Sequence, residues 1–120
     1  MLAASGAFSF GMPRVLFVCS RNRRRSPTAE RLYQNTPGVE ALSAGTAPDA
    51  EVRVSLDLIE WADLIVCMEP RHARALQRDF GPHLADARVL TLHIPDDYEP
   101  DDPALVHLLR QRLAGRLGGV

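Results

Sequence analysis

Residues 14–30 carry the strongest structural signal in the chain, and they read Arg-Val-Leu-Phe-Val-Cys-Ser-Arg-Asn-Arg-Arg-Arg-Ser-Pro-Thr-Ala-Glu. The apolar run that ends at Cys19 is typical of a buried strand. Arg25 follows Cys19 by six positions, and Ser26-Pro27 is typical of a helix start, with Ser26 as the cap. The stretch therefore predicts a strand, a loop and a helix in succession, with a thiol where the strand ends.

Strand-like and helix-like segments alternate along the rest of the chain. This spacing predicts the α/β class, with a parallel sheet and helices on both of its faces in three layers. Ligands of such sheets bind beyond the carboxyl ends of the strands, where the Cys19 and Asp96 loops should both open. The predicted strands are residues 14–18, 39–43, 63–68 and 88–92, and the predicted helices are residues 27–35, 54–61, 70–80 and 103–113, with caps at Ser55 and Asp102.

Length and composition indicate one folded domain over residues 13–120. The 120 residues include 46% hydrophobic ones, which argues against disorder. Residues 1–12 are small, apolar and unpatterned, and we expect a flexible tail or an upstream start codon before Met12. The net charge of -1 argues against nucleic acid or a membrane surface as a partner. No apolar run approaches the roughly 18 residues that a membrane span requires.

Cysteine and histidine usage argues against disulfides and metal sites. The two cysteines, Cys19 and Cys67, form no disulfide framework, which favours a cytoplasmic location. Cys67 lies inside an apolar strand and is predicted to be a core residue, while the alternative is a resolving thiol for arsenate reduction. No metal or cofactor is predicted, because none of the four histidines has metal-ligand spacing and each is expected at a surface or satisfied position: His72, His83, His93 and His107.

The Cys19 loop has residue types that suit phosphate chemistry. A thiolate is the nucleophilic form of cysteine, and inward-pointing amides of residues 20–25 would form a nest for anions. The guanidinium of Arg25 can hold two phosphate oxygens at once, which a lysine cannot match. The Ser26 hydroxyl could donate to the sulfur, and Asn22 accepts the left-handed backbone that such a loop needs.

These residues resemble a known phosphate loop. Residues 18–30 are similar to the segment Val-Cys-x-Gly-Asn-x-Cys-Arg-Ser-Pro-x-Ala-Glu of the low-molecular-weight protein tyrosine phosphatases, in what looks like a shortened bacterial branch. Residues 43–46 and 61–69 resemble two further segments of that family. The resemblance implies a four-stranded sheet in the order 2-1-3-4 and a cysteinyl-phosphate intermediate on Cys19. It also implies phosphate binding by Arg25 and by the loop residues Ser20, Arg21, Asn22, Arg23, Arg24 and Ser26.

The general acid is predicted in the acidic segment after the fourth strand. Asp96-Asp97-Tyr98 corresponds to the family's Asp-Pro-Tyr, which implies Asp96 as general acid and base. Asp97 stays open as the alternative, because the family's proline is absent and the register could slip by one. Tyr98 is predicted to form part of the cleft wall, where it could stack on an aryl substrate. The other acidic residues up to position 102 are expected to be solvated.

The sequence departs from the family pattern at three places. Arg21 replaces the loop glycine, and Arg24 replaces the second loop cysteine, so no neighbouring thiol can protect Cys19 as a reversible disulfide. Residues 46–61 form a shorter segment, and a wall of the substrate cleft is expected to be missing. The extra arginines have two interpretations. Arg21 or Arg24 pairs with the acidic loop, or Arg21, Arg23 and Arg24 select a polyanionic substrate such as a phosphorylated acidic peptide, a nucleotide or an RNA end.

The sequence thus predicts a cysteine-dependent phosphatase of the protein tyrosine phosphatase type. It would act on a phosphotyrosine protein or a small phosphomonoester and release inorganic phosphate, as a monomer or weak dimer. Two alternatives remain open at this point. One is a phosphate- or phosphopeptide-binding module with little catalysis, and the other is an arsenate reductase on the same fold.

Overall fold

The structure is a computed structural model that describes residues 13–84 and 88–117, so the tail predicted over residues 1–12 lies outside it. The predicted alternation of strands and helices is confirmed, and the third and fourth helices have the predicted bounds. The elements are β1 (Arg14–Cys19), α1 (Arg25–Gln34), β2 (Glu40–Gly45), α2 (Leu56–Trp61), β3 (Leu64–Cys67), α3 (Pro70–Phe80), a 3₁₀ turn (Gly81–His83), β4 (Arg88–Thr91) and α4 (Pro103–Leu113).

The four strands form one parallel sheet in the order β2-β1-β3-β4. This is the order 2-1-3-4 that the family resemblance implied. Strand β1 lies inside the sheet, where Leu16 pairs with Leu42 of β2 on one side and with Ile65 of β3 on the other. Because all strands run in one direction, their carboxyl ends meet at one edge, and Cys19 lies at that edge.

Successive residues of β1 belong to two hydrophobic clusters on opposite faces of the sheet. Val15, Phe17 and Cys19 pack with residues of α1 and α4, whereas Leu16 and Val18 pack with residues of α2 and α3. Helices therefore cover both faces, as predicted, and β1 is apolar from Val15 to Cys19 because neither face meets water there. Full burial of a side chain such as Phe17 contributes about 1.5–3 kcal/mol, so the strand that carries the thiol is firmly held.

Helix α1 begins two residues earlier than predicted, and Ser26 is not its cap. The N-cap residue is Arg24, which makes no side-chain hydrogen bond to the helix. Ser26 lies fully buried in the first turn, where its hydroxyl contacts Cys19 and Asn22 instead. Pro27 is tolerated because it also lies in the first turn, where a backbone N–H has no partner within the helix.

The other helix starts agree with the predicted caps. The Ser55 hydroxyl accepts from the Leu58 amide at 3.4 Å, and the Asp102 carboxylate accepts from the Ala104 amide at 2.9 Å. Strand β2 continues to Gly45, two residues beyond its predicted end. Within the part of the chain that the structure describes, no helix combines the length and apolarity needed to cross a membrane.

Candidate active site

A cavity of about 350 Å³ opens at the carboxyl edge of the sheet, where β1 ends. A concave site at this edge is where doubly wound sheets bind their ligands. The wall combines one thiol, one hydroxyl, five guanidinium groups and one carboxylate, a composition that suits an anion. The lining residues are Cys19, Ser20, Arg21, Arg23, Arg24, Arg25, Arg71 and Asp96.

The Cys19 sulfur lies among hydrogen-bond donors. The residue is 3% exposed, and the Asn22 amide donates to its Sγ at 3.2 Å. The Ser26 Oγ lies 2.9 Å from the same sulfur, so the contact predicted between these side chains is present. The N-terminus of α1 follows directly, and its dipole adds positive potential. These groups together stabilise a negative charge on the sulfur or on a phosphate bound beside it.

The Asn22 side chain stabilises the loop conformation by hydrogen bonds and does not line the cavity. Asn22 adopts the predicted left-handed conformation, with φ of 58°. Its side-chain amide donates to Ser26 Oγ at 3.0 Å and to Ser43 Oγ at 2.9 Å, and its carbonyl accepts from the Val52 amide at 3.2 Å. The Ser43 hydroxyl in turn donates to the Glu30 carboxylate. The Asn22 side chain is therefore buried and fully engaged, and its predicted role in substrate binding stays a prediction.

Arg25 is the largest fully buried side chain, at 1% exposure. Its Nη1 donates to Glu69 Oε1 at 2.6 Å and to the Ile94 carbonyl at 2.8 Å. Its Nε has no hydrogen-bond partner among residues 13–84 and 88–117, and Asp96 Oδ1 lies 3.7 Å from it. A buried donor without a partner costs free energy unless a ligand satisfies it, and here a bound anion could do so.

Glu69 and Arg71 belong to the site, although we predicted no role for them from the sequence. Burial alone raises the pKa of the Glu69 carboxyl, but hydrogen bonds and charges from Arg25 and Arg71 outweigh it and lower this pKa to about 2. Arg71 donates to Glu69 Oε1 from Nη2 at 2.8 Å and lines the cavity. Glu69 therefore stays ionised and fixes two guanidinium groups. Glu69 follows β3 directly and so lies at the same sheet edge as Cys19, and this position could have identified it as a site residue from the sequence.

His72 links helix α3 to the Cys19 loop. It occupies a satisfied position, as predicted, with 1% exposure and both ring nitrogens bonded. Burial lowers the pKa of His72 to about 4, and the charges of Arg25 and Arg71 add to this effect. The neutral ring accepts from the Glu69 amide at Nδ1 (3.0 Å), so Nε2 carries the proton and donates to Ser20 Oγ at 2.9 Å. The Ser20 hydroxyl then keeps its own hydrogen for an acceptor in the cavity.

Of the two acidic candidates, Asp96 lies at the cavity. Its carboxylate lines the wall, whereas Asp97 is exposed and is not among the lining residues. Tyr98 was predicted as a cleft wall, but it is half-buried against the hydrophobic cluster under α1 and α4 and does not line the cavity. The tyrosine ring packs there because it buries more apolar surface against the core than at a charged rim.

The acidic loop that carries Asp96 is tied to helix α1. Arg31 donates to both carboxylate oxygens of Asp101 at 3.1 Å, and the Asp101 amide donates to Thr28 Oγ1 at 2.9 Å. Asp101 has φ of 61°, a left-handed conformation that aspartate tolerates better than most residues. These contacts hold the acidic loop beside α1, the helix that begins where the Cys19 loop ends.

The rim of the cavity holds the extra arginines of the loop, each near one carboxylate. Arg24 lies 4.0 Å from Glu99, so one of the expected pairings with the acidic loop is present. Arg21 pairs with Asp49 at 3.7 Å rather than with that loop, and Arg23 lies 3.3 Å from Glu51. All six side chains are at least 47% exposed. Exposed pairs of this kind contribute about 0–1 kcal/mol each.

The shortened segment 46–53 braces the loop from outside and does not line the cavity. The amides of Thr46, Ala47 and Glu51 donate to the carbonyls of loop residues 19, 20 and 21 at 3.0, 2.8 and 3.1 Å. Gly45 permits this close approach, because a Cβ there would lie 2.5 Å from the Ser20 carbonyl oxygen. The segment thus supports the loop backbone, and the missing cleft wall stays a prediction.

Cys67 cannot serve Cys19 as a partner thiol. It is fully buried in β3, and burial raises the pKa of its thiol to about 12. Cys19 packs with the cluster under α1 and α4, and Cys67 packs with the cluster under α2 and α3. The two side chains therefore point to opposite faces of the sheet, and a disulfide would require the strands to rearrange. The prediction of Cys67 as a core residue is confirmed.

Solved structures with a similar fold include phosphatases. An arginine phosphatase, YwlE from Geobacillus stearothermophilus, is 25% identical, covers 88% of this chain and 92% of its own, and has a TM-score of 0.67. Wzb from Vibrio vulnificus in complex with benzylphosphonate is also 25% identical, with coverages of 85% and 92% and a TM-score of 0.65.

A third similar structure is that of a protein of the family that the loop motif resembles. SP-PTP, a low molecular weight protein tyrosine phosphatase from Streptococcus pyogenes, has a TM-score of 0.68 over 84% of this chain and 88% of its own. At 18% identity it supports the fold alone. Neither a protein-family model nor a curated protein matches the sequence itself. The likeness therefore lies in the fold and in the loop motif more than in overall sequence.

Proposed function

We propose that this chain, whose fold is similar to that of solved phosphatases and whose loop motif resembles the low-molecular-weight protein tyrosine phosphatases, hydrolyses phosphate monoesters of the phosphotyrosine type. The proposed route passes through a phosphocysteine on Cys19, with inorganic phosphate as the product. The observation that carries the proposal is that Cys19, Arg25 and Asp96 line one cavity at the carboxyl edge of the sheet. A nucleophile, an anion-binding group and a proton donor thus meet where this fold binds ligands.

In the first step the Cys19 thiolate attacks phosphorus. The sulfur–phosphorus bond forms while the bond to the leaving oxygen breaks, and a protonated Asp96 gives its proton to that oxygen. Arg25 would hold two of the remaining phosphate oxygens, and its unpartnered Nε supplies one of the donors. The loop amides and the start of α1 stabilise the charge that develops on the phosphoryl group.

In the second step water releases the phosphate. Asp96, now ionised, takes a proton from water as its oxygen attacks phosphorus, and the sulfur–phosphorus bond breaks. The Ser26 hydroxyl, 2.9 Å from the sulfur, can donate to it as it departs with the electron pair. Phosphate leaves, and the thiolate and the protonated carboxyl are restored. The chain needs no cofactor or metal for either step.

The charges of the cavity favour an aryl phosphate over a phosphorylated arginine. One of the similar structures is an arginine phosphatase, so phosphorylated arginine is the competing substrate class. The leaving group of phosphoarginine is a guanidinium, and it would meet a wall that holds five guanidinium groups and one carboxylate. Like charges at close range disfavour binding, whereas a phenol is neutral. This supports tyrosine phosphate as the substrate class.

The arsenate reductase alternative has little support from the thiols. That chemistry needs a second cysteine that reaches the first, and Cys67 is buried on the opposite face of the sheet. The binding-module alternative differs from the proposed enzyme in one measurable respect, because it predicts phosphate binding without turnover. With both cysteines reduced, we further propose that the protein works in a reducing, cytoplasmic setting.

Hydrolysis of p-nitrophenyl phosphate in the presence of a metal chelator tests the proposal. We expect turnover across about pH 5 to 8, complete loss of it in Cys19→Ser, and a phosphorylated wild-type protein detectable by intact mass after an acid quench. Cys67→Ala is the matched control, because it removes the other thiol and should keep the activity. Folded wild-type protein that binds phosphate but turns over no monoester would reject the enzyme and favour the binding module.

A further inference from the structure

We propose that the rim arginines, Arg21, Arg23 and Arg24, form a second anion subsite that selects phosphotyrosine peptides with acidic residues beside the phosphotyrosine. The inference rests on the proposed function, because it names the substrate of the same cavity. Exposed and buried side chains are interspersed along the loop. The three rim side chains are exposed and line the cavity, whereas their neighbours Asn22 and Arg25 are buried.

The carboxylates near the rim arginines lie outside the cavity wall. Asp49, Glu51 and Glu99 are not lining residues, and their side chains are 58–78% exposed. The closest contacts are single atom pairs of 3.3–4.0 Å, and none of the three arginine side chains makes a hydrogen bond within the described residues. Water screens such pairs, and a substrate carboxylate can exchange with them at little cost.

The rest of the wall favours a peptide over a nucleotide. No aromatic side chain lines the cavity within the described part of the chain, so a base would find no stacking platform. Tyr98, the residue predicted to stack, packs against the core instead. The net charge of -1 gives no general attraction for nucleic acid. Guanidinium groups around an open rim suit carboxylates that flank a phosphotyrosine in an extended peptide.

The test compares two phosphotyrosine peptides that differ only in flanking Glu and Asp against Gln and Asn. We expect kcat/KM to be about 10-fold higher for the acidic peptide at low salt, and this ratio should shrink as ionic strength rises. The triple variant Arg21→Gln, Arg23→Gln, Arg24→Gln should bring the ratio close to one. The single charge reversal Arg23→Glu should shift the preference toward peptides flanked by Arg, and it serves if the triple variant does not fold.

Arg110→Gln is the matched control, since Arg110 lies exposed on α4 and outside the cavity. It should leave the ratio unchanged. Equal rates for both peptides, or an acidic preference that survives the triple variant, would overturn the inference. So would a 5′-phosphorylated oligonucleotide that is hydrolysed faster than the acidic peptide. If p-nitrophenyl phosphate is also inert, the proposed function fails rather than the subsite.

Discussion

The buried and the exposed residues of the loop from Cys19 to Ser26 differ in how they are held. On the buried side, Cys19, Asn22, Arg25 and Ser26 are each at most 5% exposed and are joined by hydrogen bonds of 2.6–3.3 Å to the sheet and to Glu69. These are also positions at which the sequence keeps the family pattern. Because each side chain holds the next one, a substitution there disturbs the whole network.

On the exposed side, the rim arginines have long, water-screened contacts and depart from the family pattern at Arg21 and Arg24. A change there alters charge without disturbing a packed network. The difference suggests that the buried side determines the reaction and the exposed side determines the substrate. Substitutions on either side therefore test this division.

Among the substitutions that compare the two sides of the loop, Arg25→Lys should have the largest effect. Lysine keeps the charge, but one ammonium cannot hold Glu69, the Ile94 carbonyl and two phosphate oxygens together. We expect kcat/KM for p-nitrophenyl phosphate to fall by about 100- to 1,000-fold. Arg23→Lys, on the exposed side, should cost only a few fold in the same assay. Similar losses in both variants would show that the division between the two sides is wrong.

Asp96→Asn should give the next largest effect, and it depends on the leaving group. Phenyl phosphate needs a proton on its leaving oxygen, so its kcat should fall by about 100-fold. p-Nitrophenolate leaves more easily, and its rate should fall less. Asp97→Asn is the matched control and should stay near the wild-type rate, because Asp97 does not line the cavity. The reverse result would move the general acid to Asp97.

Local patterns were sufficient to predict most of the fold. Helix α3 begins at Pro70 and ends at Phe80 as predicted, because proline at its start and Gly81-Pro82 after its end are signals in the sequence itself. Cys19 and Arg25 could likewise be found from one continuous motif. Asp96 needed in addition the rule that parallel strands end at one edge.

Features that depend on distant contacts could not be predicted. Ser26 looked like a cap, and its true partners include Ala44, 18 positions away. Tyr98 looked like a cleft residue, yet the core competes for its ring. Glu69 lies 44 positions from Arg25, and no local pattern relates the two. In each case the side chain contacts residues that become its neighbours only in the folded chain.

The smallest effect concerns His72, which connects the buried network to the cavity through Ser20. The pKa of this residue is about 4 in the folded chain against an ordinary 6.5, lowered by burial and by Arg25 and Arg71 and partly offset by Glu69 and Asp96. Between these values the unfolded chain binds a proton that the native state does not. Acidification therefore favours unfolding, and the free energy of unfolding should fall by about 2 kcal/mol from pH 7 to pH 5.

Urea unfolding of His72→Gln should show a smaller loss over this range, while His107→Gln, at an exposed position on α4, should keep the wild-type slope. Glu69 does not interfere with this measurement. Its pKa is lowered from the ordinary 4.5 to about 2, so the stability that its ionised form contributes is lost only below about pH 4.5.

His72→Gln should also lower kcat/KM several-fold near neutral pH, because Ser20 loses the donor that orients its hydroxyl. Ser20→Ala should lower the rate by a similar factor while keeping the pH slope of stability. A normal rate in both variants would place Ser20 with the rim rather than with the machinery of the reaction.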